Sequence, residues 1–433
     1  SSAASDVYKR QITLLAAIAA TIASYAQPSL DECRRLAREH YPAIRQYDLI
    51  RQTEQYTLSN AGRTWLPQVA FSAQATWQTD APAFPDAFSG IFDQQGISIP
   101  GMRKDQYRMQ IEVSQTLWDG GKSRADKLMA EAESAESRHT VDVDLFALDG
   151  RIDELYFGIL LLDERIAQAR LTIGLLESTL DKIRSLQRNG VALQTDADSV
   201  EAELLTAGQQ LSQLESMCDS YRRMLSVFTG TDIGDKPLQQ PDAEIPASME
   251  NRRPELNLLD ARADLLTARE KMVKSSTMPR FGLFAQGYYG YPGLDYFKSM
   301  LNADWSLNAV VGIRMTWNFG GYYTRRNNLD RIATAKRQLD VQRDIFLFNT
   351  ELQSVEQNGE IERLRRALAD DDRIVALRRS VREAAESKLR NGIIDTNDLL
   401  RKITDEQSAA VARSAREIEL LKTIYELKHT INQ

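Results

Sequence analysis

Apolar residues between positions 145 and 183 recur at alternating spacings of three and four residues. They are Leu145, Leu148, Ile152, Leu155, Ile159, Leu162, Ile166, Ala169, Ile173, Leu176, Leu180 and Ile183. This spacing is typical of a coiled-coil seam. Residues 122–187 contain no proline, so they predict one helix of roughly 100 Å at about 1.5 Å per residue. The chain turns at Asn189-Gly190, and a second seam runs from Val200 to Leu225. The pattern therefore predicts a long helical hairpin.

Four other stretches alternate with a period of two, which predicts strands. They cover residues 68–78, 107–117, 281–289 and 305–317. Strands of this length cross a bilayer when they are tilted. A half-buried sheet in a soluble domain shows the same alternation.

Aromatic residues at both ends of the strands favour the membrane interpretation. Trp77 and Trp305 stand at the loop ends, and Trp118 and Trp317 stand at the helix ends. Such residues form the aromatic girdles of membrane barrels. The polar positions include Arg108, Glu112 and Arg314, which suits a water-filled lumen.

Four strands cannot close a membrane barrel. The smallest such barrels have about eight strands, and an open edge in lipid leaves backbone groups unsatisfied. Other copies of the chain must therefore complete the sheet, and three copies would supply twelve strands. We expect an assembly of identical copies, a homotrimer if three of them supply the strands, in contact with membrane lipid.

The chain repeats its landmarks in order, which indicates a tandem duplication. Arg188-Asn189-Gly190 precedes Asp196 as Arg390-Asn391-Gly392 precedes Asp398, at an offset of 202 residues. Leu66-Pro67-Gln68 corresponds to Met278-Pro279-Arg280, at an offset of 212. Trp118-Asp119-Gly120-Gly121 corresponds to Asn318-Phe319-Gly320-Gly321, at an offset of 200.

The duplication defines the expected domains. The first repeat covers residues 27–228, with a helix, a strand pair at 68–118 and a helical hairpin at 122–228. A linker covers residues 229–249. The second repeat covers residues 250–433, with a helix, a strand pair at 280–317 and a hairpin at 322–431. The loops at 80–105 and 291–304 would face outward. The predicted fold class is mainly α, with a four-stranded membrane β-sheet.

Residues 1–26 are typical of a secretory signal peptide. Lys9 and Arg10 precede an apolar run at 12–20, and Ser24-Tyr25-Ala26 fits the cleavage rule. The net charge of −7 argues against binding to nucleic acid, so no nucleic-acid partner is expected.

No pattern in the sequence indicates catalysis, a cofactor or a metal. The three histidines are far apart, and no Cys/His cluster has the spacing of metal ligands. We therefore expect no enzyme activity. Cys33 and Cys218 could form a disulfide in the periplasm, but Cys218 occupies a seam position, which favours a buried thiol.

This order of landmarks resembles the TolC-like outer-membrane efflux family. The resemblance rests on Leu66-Pro67-Gln68, on the two strand-to-helix turns and on the two Gly-to-Asp hairpins. It implies a trimeric duct in the bacterial outer membrane with a periplasmic extension. A twelve-stranded barrel would sit in the membrane, and the helices would form a tunnel with a closable tip. The implied partners are a periplasmic adaptor (a membrane fusion protein) and an inner-membrane pump.

The resemblance also assigns a role to the hairpin ends. Asp196 and Asp398, beside Gly190 and Gly392, match acidic positions where the helices of the trimer converge. A ring of carboxylates favours cations and can bind them. Alternatively, each Asp is the N-cap of the returning helix, and the two interpretations are compatible.

The hairpin ends also depart from the family pattern. Leu389 and Ile394 stand where some members place a gate Tyr and Arg. Arg401 stands where a second acidic residue is expected. The bonds of the gate must therefore differ, and their candidates are Arg188, Arg390, Asp395 and Arg401.

Two other functions are compatible with the sequence. The same fold serves as the outer-membrane component of type I protein secretion. A soluble periplasmic coiled-coil scaffold would need no membrane, but it leaves the strand pattern and the aromatic ends unexplained.

Replacing Asp196 and Asp398 by Ala should change the block of the channel by cations, or its ion selectivity, because the carboxylate ring would be lost. Conductance and block would be measured in planar bilayers. Unchanged conductance and block would reject the role of the ring.

Overall fold

The computed structural model describes residues 28–83, 85, 91, 96, 99–189, 193–246, 248–391, 393–394 and 396–433. The predicted signal peptide at 1–26 lies outside these residues. The fold is mainly helical with one four-stranded antiparallel sheet, which confirms the predicted secondary-structure class.

The elements follow the same order in each half of the chain. The first half contains α1 (Leu30–His40), a 3-10 turn (Pro42–Arg45), α2 (Gln46–Arg63), β1 (Gln68–Trp77), β2 (Asp105–Trp118), α3 (Lys122–Arg188) and α4 (Gln194–Thr229). The second half contains α5 (Pro254–Ser276), β3 (Arg280–Tyr291), α6 (Tyr296–Leu301), β4 (Ser306–Thr316), α7 (Gly321–Arg390) and α8 (Thr396–Ile431). Across the ranges given above, every helix is either too short or too polar to cross a membrane.

One element was not predicted from the sequence. The segment 291–304, expected to be a loop, contains α6, and the Asp295 side chain accepts a hydrogen bond from the Lys298 N–H at 3.0 Å. A capped single turn is too short to produce a helical hydrophobic period, so the pattern could not show it.

The two compact units of the molecule do not coincide with the two repeats. One unit consists of the described residues up to Tyr47, together with His139–Leu258 and Gln342–Gln433. The other consists of Asp48–Arg138 and Leu259–Val341. Each unit combines segments from both halves of the chain. A repeat by itself therefore does not form either compact unit.

The first unit is built on the helical seams. Along α3, the seam residues Leu148, Ile152, Ile159, Leu162 and Ile166 are all buried. The hairpin of α7 and α8 contributes a cluster of buried side chains. Its members are Ile361, Leu364, Leu420, Ile424 and Leu427, with Ile245 packed against them. The residues that form the coiled-coil pattern in the sequence thus pack together in the core of this unit.

The linker is part of the first unit and packs against other segments of it. Leu238 is buried, and the Gln239 N–H donates to the Pro28 carbonyl at 3.3 Å. The hydroxyl of the buried Tyr156 lies 2.8 Å from the Pro28 oxygen and 2.5 Å from the Gln239 oxygen. The Arg222 guanidinium donates to the carbonyls of Gly234 and Lys236. These bonds satisfy backbone groups of an irregular segment that would otherwise be unpaired.

Both cysteines are buried free thiols. The possible disulfide between them is therefore not formed. Burial, followed by the negative charge of Glu32, raises the pKa of Cys33 to about 11. Cys33 is thus a structural thiol, and Cys218 is the buried seam residue that the sequence predicted.

Charged side chains also cross the first unit. Arg34 makes two hydrogen bonds to the Asp153 carboxylate, at 2.7 and 2.6 Å, and Arg38 pairs with Asp149. Both carboxylates are buried, so losing either arginine would leave a charge unpaired in the interior. The His429 ring stacks on Phe146 with centroids 4.0 Å apart, close to this network.

His429 makes the stability of the first unit depend on pH. Burial, together with the positive charges of Arg253 and Arg34, lowers its pKa to about 4 from the ordinary 6.5. Between these two values the unfolded chain binds a proton that the folded chain does not bind. Stability must therefore fall as the pH drops from 6.5 towards 4.

Lowering the pH from 7 to 5 should destabilise the wild type more than the His429→Gln variant, by on the order of 1 kcal/mol. The measurement is unfolding in detergent, followed by circular dichroism at each pH. Between pH 7 and 8 the side chain is mostly neutral in both folded and unfolded chains, so the two proteins should then differ little. Equal slopes between pH 7 and 5 would show that His429 does not titrate on unfolding.

Candidate functional site

The sheet of the second unit has the strand order β1-β2-β3-β4, with every neighbouring pair antiparallel. Residues paired directly across strands share a face. One face is almost wholly apolar, and we call it the apolar face. It carries Val69, Phe71, Ala73, Ala75, Trp77, Tyr107, Met109, Ile111, Val113, Phe281, Leu283, Ala285, Tyr289, Leu307, Ala309, Val311, Ile313 and Met315.

The apolar face is open to its surroundings. Leu307 is 81% exposed, Val311 is 77% exposed and Phe71 is 70% exposed. Soluble monomers rarely expose an apolar patch larger than a few hundred Å². A face of this kind on four strands fits contact with lipid.

The predicted aromatic residues stand at both ends of the sheet. Trp77 ends β1 beside Asp105, the first residue of β2, and Trp305 directly precedes β4. Trp118 ends β2 beside Phe281, and Trp317 follows β4. All four side chains are between 39% and 71% exposed. Their positions suit a girdle, which stays a prediction.

The opposite face, which we call the polar face, is organised around Glu112. Its carboxylate accepts from Arg314 at 3.0 Å, from the Gln286 amide at 2.8 Å and from the Gln110 amide at 3.3 Å. Three strands therefore converge on one carboxylate. The polar residues predicted from the alternation do lie together on this face.

The polar face also carries two aromatic residues that sequence reasoning missed. The Arg108 guanidinium lies 3.9 Å from the centre of the Tyr288 ring, and that of Arg314 lies 4.5 Å from the centre of the Phe284 ring. Arg108 is opposite Gly290, and Arg314 is opposite Gly282. The recurrence of Gly beside an aromatic residue in β3 was the available signal, but only the register shows which arginine each aromatic residue meets.

Asp119 stabilises the first of the two turns between strand and helix. Its carboxylate accepts from the backbone N–H of Gly121 at 2.9 Å and of Ser123 at 2.6 Å, at the start of α3. Burial raises the pKa of Asp119, but the hydrogen bonds from Ser123 and Gly121 outweigh it and leave the pKa lowered. Gly120 has a φ of +70°, and a side chain there would meet Met278 at 2.6 Å. The motif is therefore a turn with a helix-capping carboxylate.

The hairpin ends fall largely outside the described residues. This holds for Gly190, Gly392 and Asp395, and for the side chains of Asp196 and Arg390. The returning helices begin at Gln194 and Thr396, so both aspartates are the third residue of a helix. The N-cap interpretation is therefore wrong for these helix boundaries. Carboxylates in the first turn are still favoured by the helix dipole.

Other residues form the ion pairs between the paired helices. Arg184 pairs with Glu201 at 2.7 Å, linking α3 to α4. Glu406 on α8 pairs with Arg382 and Arg379 on α7. Hydrogen bonds from Arg382 lower the pKa of Glu406. The candidates Arg188 and Arg401 are exposed, and no ion pair joins them to each other or to another described side chain.

Comparison with known proteins relates this geometry to a family. Residues 34–231 match the model described as outer membrane efflux protein. No curated protein matches the chain. The family match covers the first predicted repeat almost completely.

Solved structures of outer-membrane channels share the fold. The channel OprN matches with a TM-score of 0.66 and 16% identity, covering 94% of this chain and 90% of its own. CmeC of Campylobacter jejuni matches with a TM-score of 0.66 and 13% identity, and the match covers 94% of this chain and 86% of CmeC. The open state of MtrE of Neisseria gonorrhoeae matches with a TM-score of 0.66 and 16% identity, and the match covers 94% of this chain and 89% of MtrE.

The family match and the shared fold confirm the predicted resemblance to TolC-like outer-membrane efflux proteins. The predicted localisation, outer membrane with a periplasmic extension, is confirmed with it.

Replacing Asp119 by Ala should lower the free energy of unfolding by about 1–2 kcal/mol, because N–H groups at the start of α3 would lose their acceptor. As a control, Asn318→Ala truncates the polar residue of the corresponding turn in the second half, where the position equivalent to Asp119 is Phe319, and the loss should be smaller. Thermal unfolding in detergent measures both. Equal effects would show that Asp119 does not have a special capping role.

Proposed function

We propose that this chain, whose first repeat matches the outer membrane efflux proteins, forms the exit duct of a tripartite efflux system. The duct is a passive, water-filled path from the periplasm to the exterior. The observation that carries the proposal is the two-faced sheet, which has an exposed apolar face, a polar face and two open edge strands.

The open edges support assembly from several copies. In one copy, β1 and β4 each pair on one side only. In lipid, their free backbone groups must be satisfied by another sheet edge. The proposed pairing joins β4 of one copy to β1 of the next. Three copies give twelve strands, the number that the family resemblance favours.

An exposed seam on α7 supports the same assembly. Ile345, Phe348, Leu352 and Val355 follow one another at spacings of three and four, and each is between 54% and 66% exposed. This is the coiled-coil spacing, but in a single copy the seam has no cover. We propose that it packs against a helix of the neighbouring copy.

The ends of the two helical hairpins are the proposed gate. Asp196 and Asp398 would line the entrance of the trimer, and the ion pairs of Arg382 with Glu406 and of Arg184 with Glu201 would keep each hairpin together. Opening would follow docking of a periplasmic adaptor connected to an inner-membrane pump. The duct itself supplies no energy.

The exposed sheet argues against a soluble scaffold, since water would cover its whole apolar face. Type I protein secretion uses the same architecture and is separated from efflux by the partner pump. Deletion of the gene would then abolish export of one protein rather than raise sensitivity to small toxic solutes.

The native mass of the protein extracted from outer membranes in mild detergent tests the proposal. The expected protein mass is three times that of one chain. Phe348→Asp should shift most of the protein to monomer, because three charges would be buried in the seams. Asn349→Asp, which adds the same charge at an exposed neighbouring position, should remain trimeric.

A wild-type monomer in the aqueous fraction would contradict the duct. A trimer that tolerates Phe348→Asp would contradict only the seam. Far-ultraviolet circular dichroism at 222 nm confirms that each variant keeps its helices.

A further inference from the structure

The polar face contains the same arrangement twice. In each case an arginine lies opposite a glycine of β3 and stacks on an aromatic ring two residues from that glycine. Arg108 lies opposite Gly290 and stacks on Tyr288, and Arg314 lies opposite Gly282 and stacks on Phe284. Gly290 is required sterically, since a Cβ there would lie 2.1 Å from the Tyr107 oxygen, and a Cβ at Gly282 would make a tight contact of 3.0 Å with the Gln115 oxygen.

The two arrangements differ in charge. The Arg314 guanidinium is neutralised by the Glu112 carboxylate at 3.0 Å. Among the described side chains, no carboxylate lies within ion-pair distance of Arg108. Its cross-strand partner on β1 is the neutral Gln74. Arg108 therefore keeps a positive charge that the protein does not compensate locally.

A cavity of about 200 Å³ opens beside Arg108. Its wall includes Gln74, Thr76, Gln106 and Tyr296, which are neutral side chains with amide or hydroxyl groups. Tyr288 is buried, and its ring centre lies 3.9 Å from the central carbon of the guanidinium. The planar N–H groups of arginine match a carboxylate, sulfonate or phosphate, and the tyrosines offer faces for stacking.

We propose that the Arg108 cavity is a binding site for small organic anions, with a preference for aromatic ones, on the lumen side of the barrel. The inference rests on the proposed duct function and names a class of solute that the duct would hold. In a trimer, three Arg108 residues would surround one path, and rings of arginine favour anions. The outer part of the path would thus differ in charge preference from the carboxylate ring proposed at the helical tip.

The test uses the full-length trimer in planar bilayers of zwitterionic phosphatidylcholine, with benzoate, acetate and benzylamine as probes. Benzoate should block the current at lower concentration than acetate, which lacks the ring, or benzylamine, which has the opposite charge. Wild type blocked equally by benzoate and benzylamine would overturn the proposal without any variant.

Variants locate the site. Arg108→Gln should raise the benzoate concentration needed for half block about tenfold, as expected for one hydrogen-bonded charge. Arg108→Lys keeps the charge but not the planar fork, so its effect should be intermediate. The matched control is the Glu112→Gln/Arg314→Gln double variant, which removes the other guanidinium together with its counter-charge. This control should block like wild type.

The outcomes separate the proposals. A channel in which Arg108→Gln leaves benzoate block within twofold of wild type overturns the anion site and leaves the duct standing. If the wild type forms no channel, the duct fails, and benzoate binding is then measured on the detergent-solubilised trimer by saturation-transfer NMR. Absence of benzoate saturation transfer there overturns the anion site as well.

Discussion

The apolar face of the sheet is the constraint on which the rest of the molecule depends. Residues such as Leu307, Val311 and Phe71 are exposed on a sheet of only four strands, and its edges are open. Burial of apolar surface is the main force in folding, so such a face requires a non-aqueous environment. Lipid provides one, but lipid also demands that every strand edge be paired. In the proposed assembly, several copies of the chain meet both demands together.

The same sheet determines what the other face can do. Because side chains alternate, an apolar face towards lipid leaves the other face for charged groups. Glu112 compensates Arg314 there, and β3 supplies an aromatic ring beneath each arginine. The charge of the proposed path then depends on which arginines lack a carboxylate. Among the described side chains, neither Arg108 nor Arg280 of the strands has a carboxylate within ion-pair distance, and Arg108 is the one that lines the cavity with neutral polar walls.

The helices of the duplicated sequence bury their apolar residues against one another and need no lipid to do so. Long seams bury Ile152 and Ile159 in α3 and Ile424 in α8 without any membrane. Ion pairs such as that of Arg34 with Asp153 add specific, directional contacts to this packing. The seam of α7 from Ile345 to Val355 is left exposed, as expected if its partner is another copy. Each compact unit mixes both repeats, so the duplication produces an assembly rather than two separate domains.

The sequence by itself determined the helices and strands, because hydrophobic residues repeat with periods of 3.5 and 2 residues over long stretches. These periods can be recognised without any knowledge of tertiary contacts. The turns with Asp119 and Gly120, the long helices and the family resemblance could all be read from it. Residue spacing could not show which side chains meet across strands, so the stacking of Arg108 on Tyr288 and of Arg314 on Phe284 was missed. Nor could it show α6 or the mixing of repeats within each unit. Cross-strand register and helix packing join residues that are far apart in the chain, and only the tertiary structure decided those contacts.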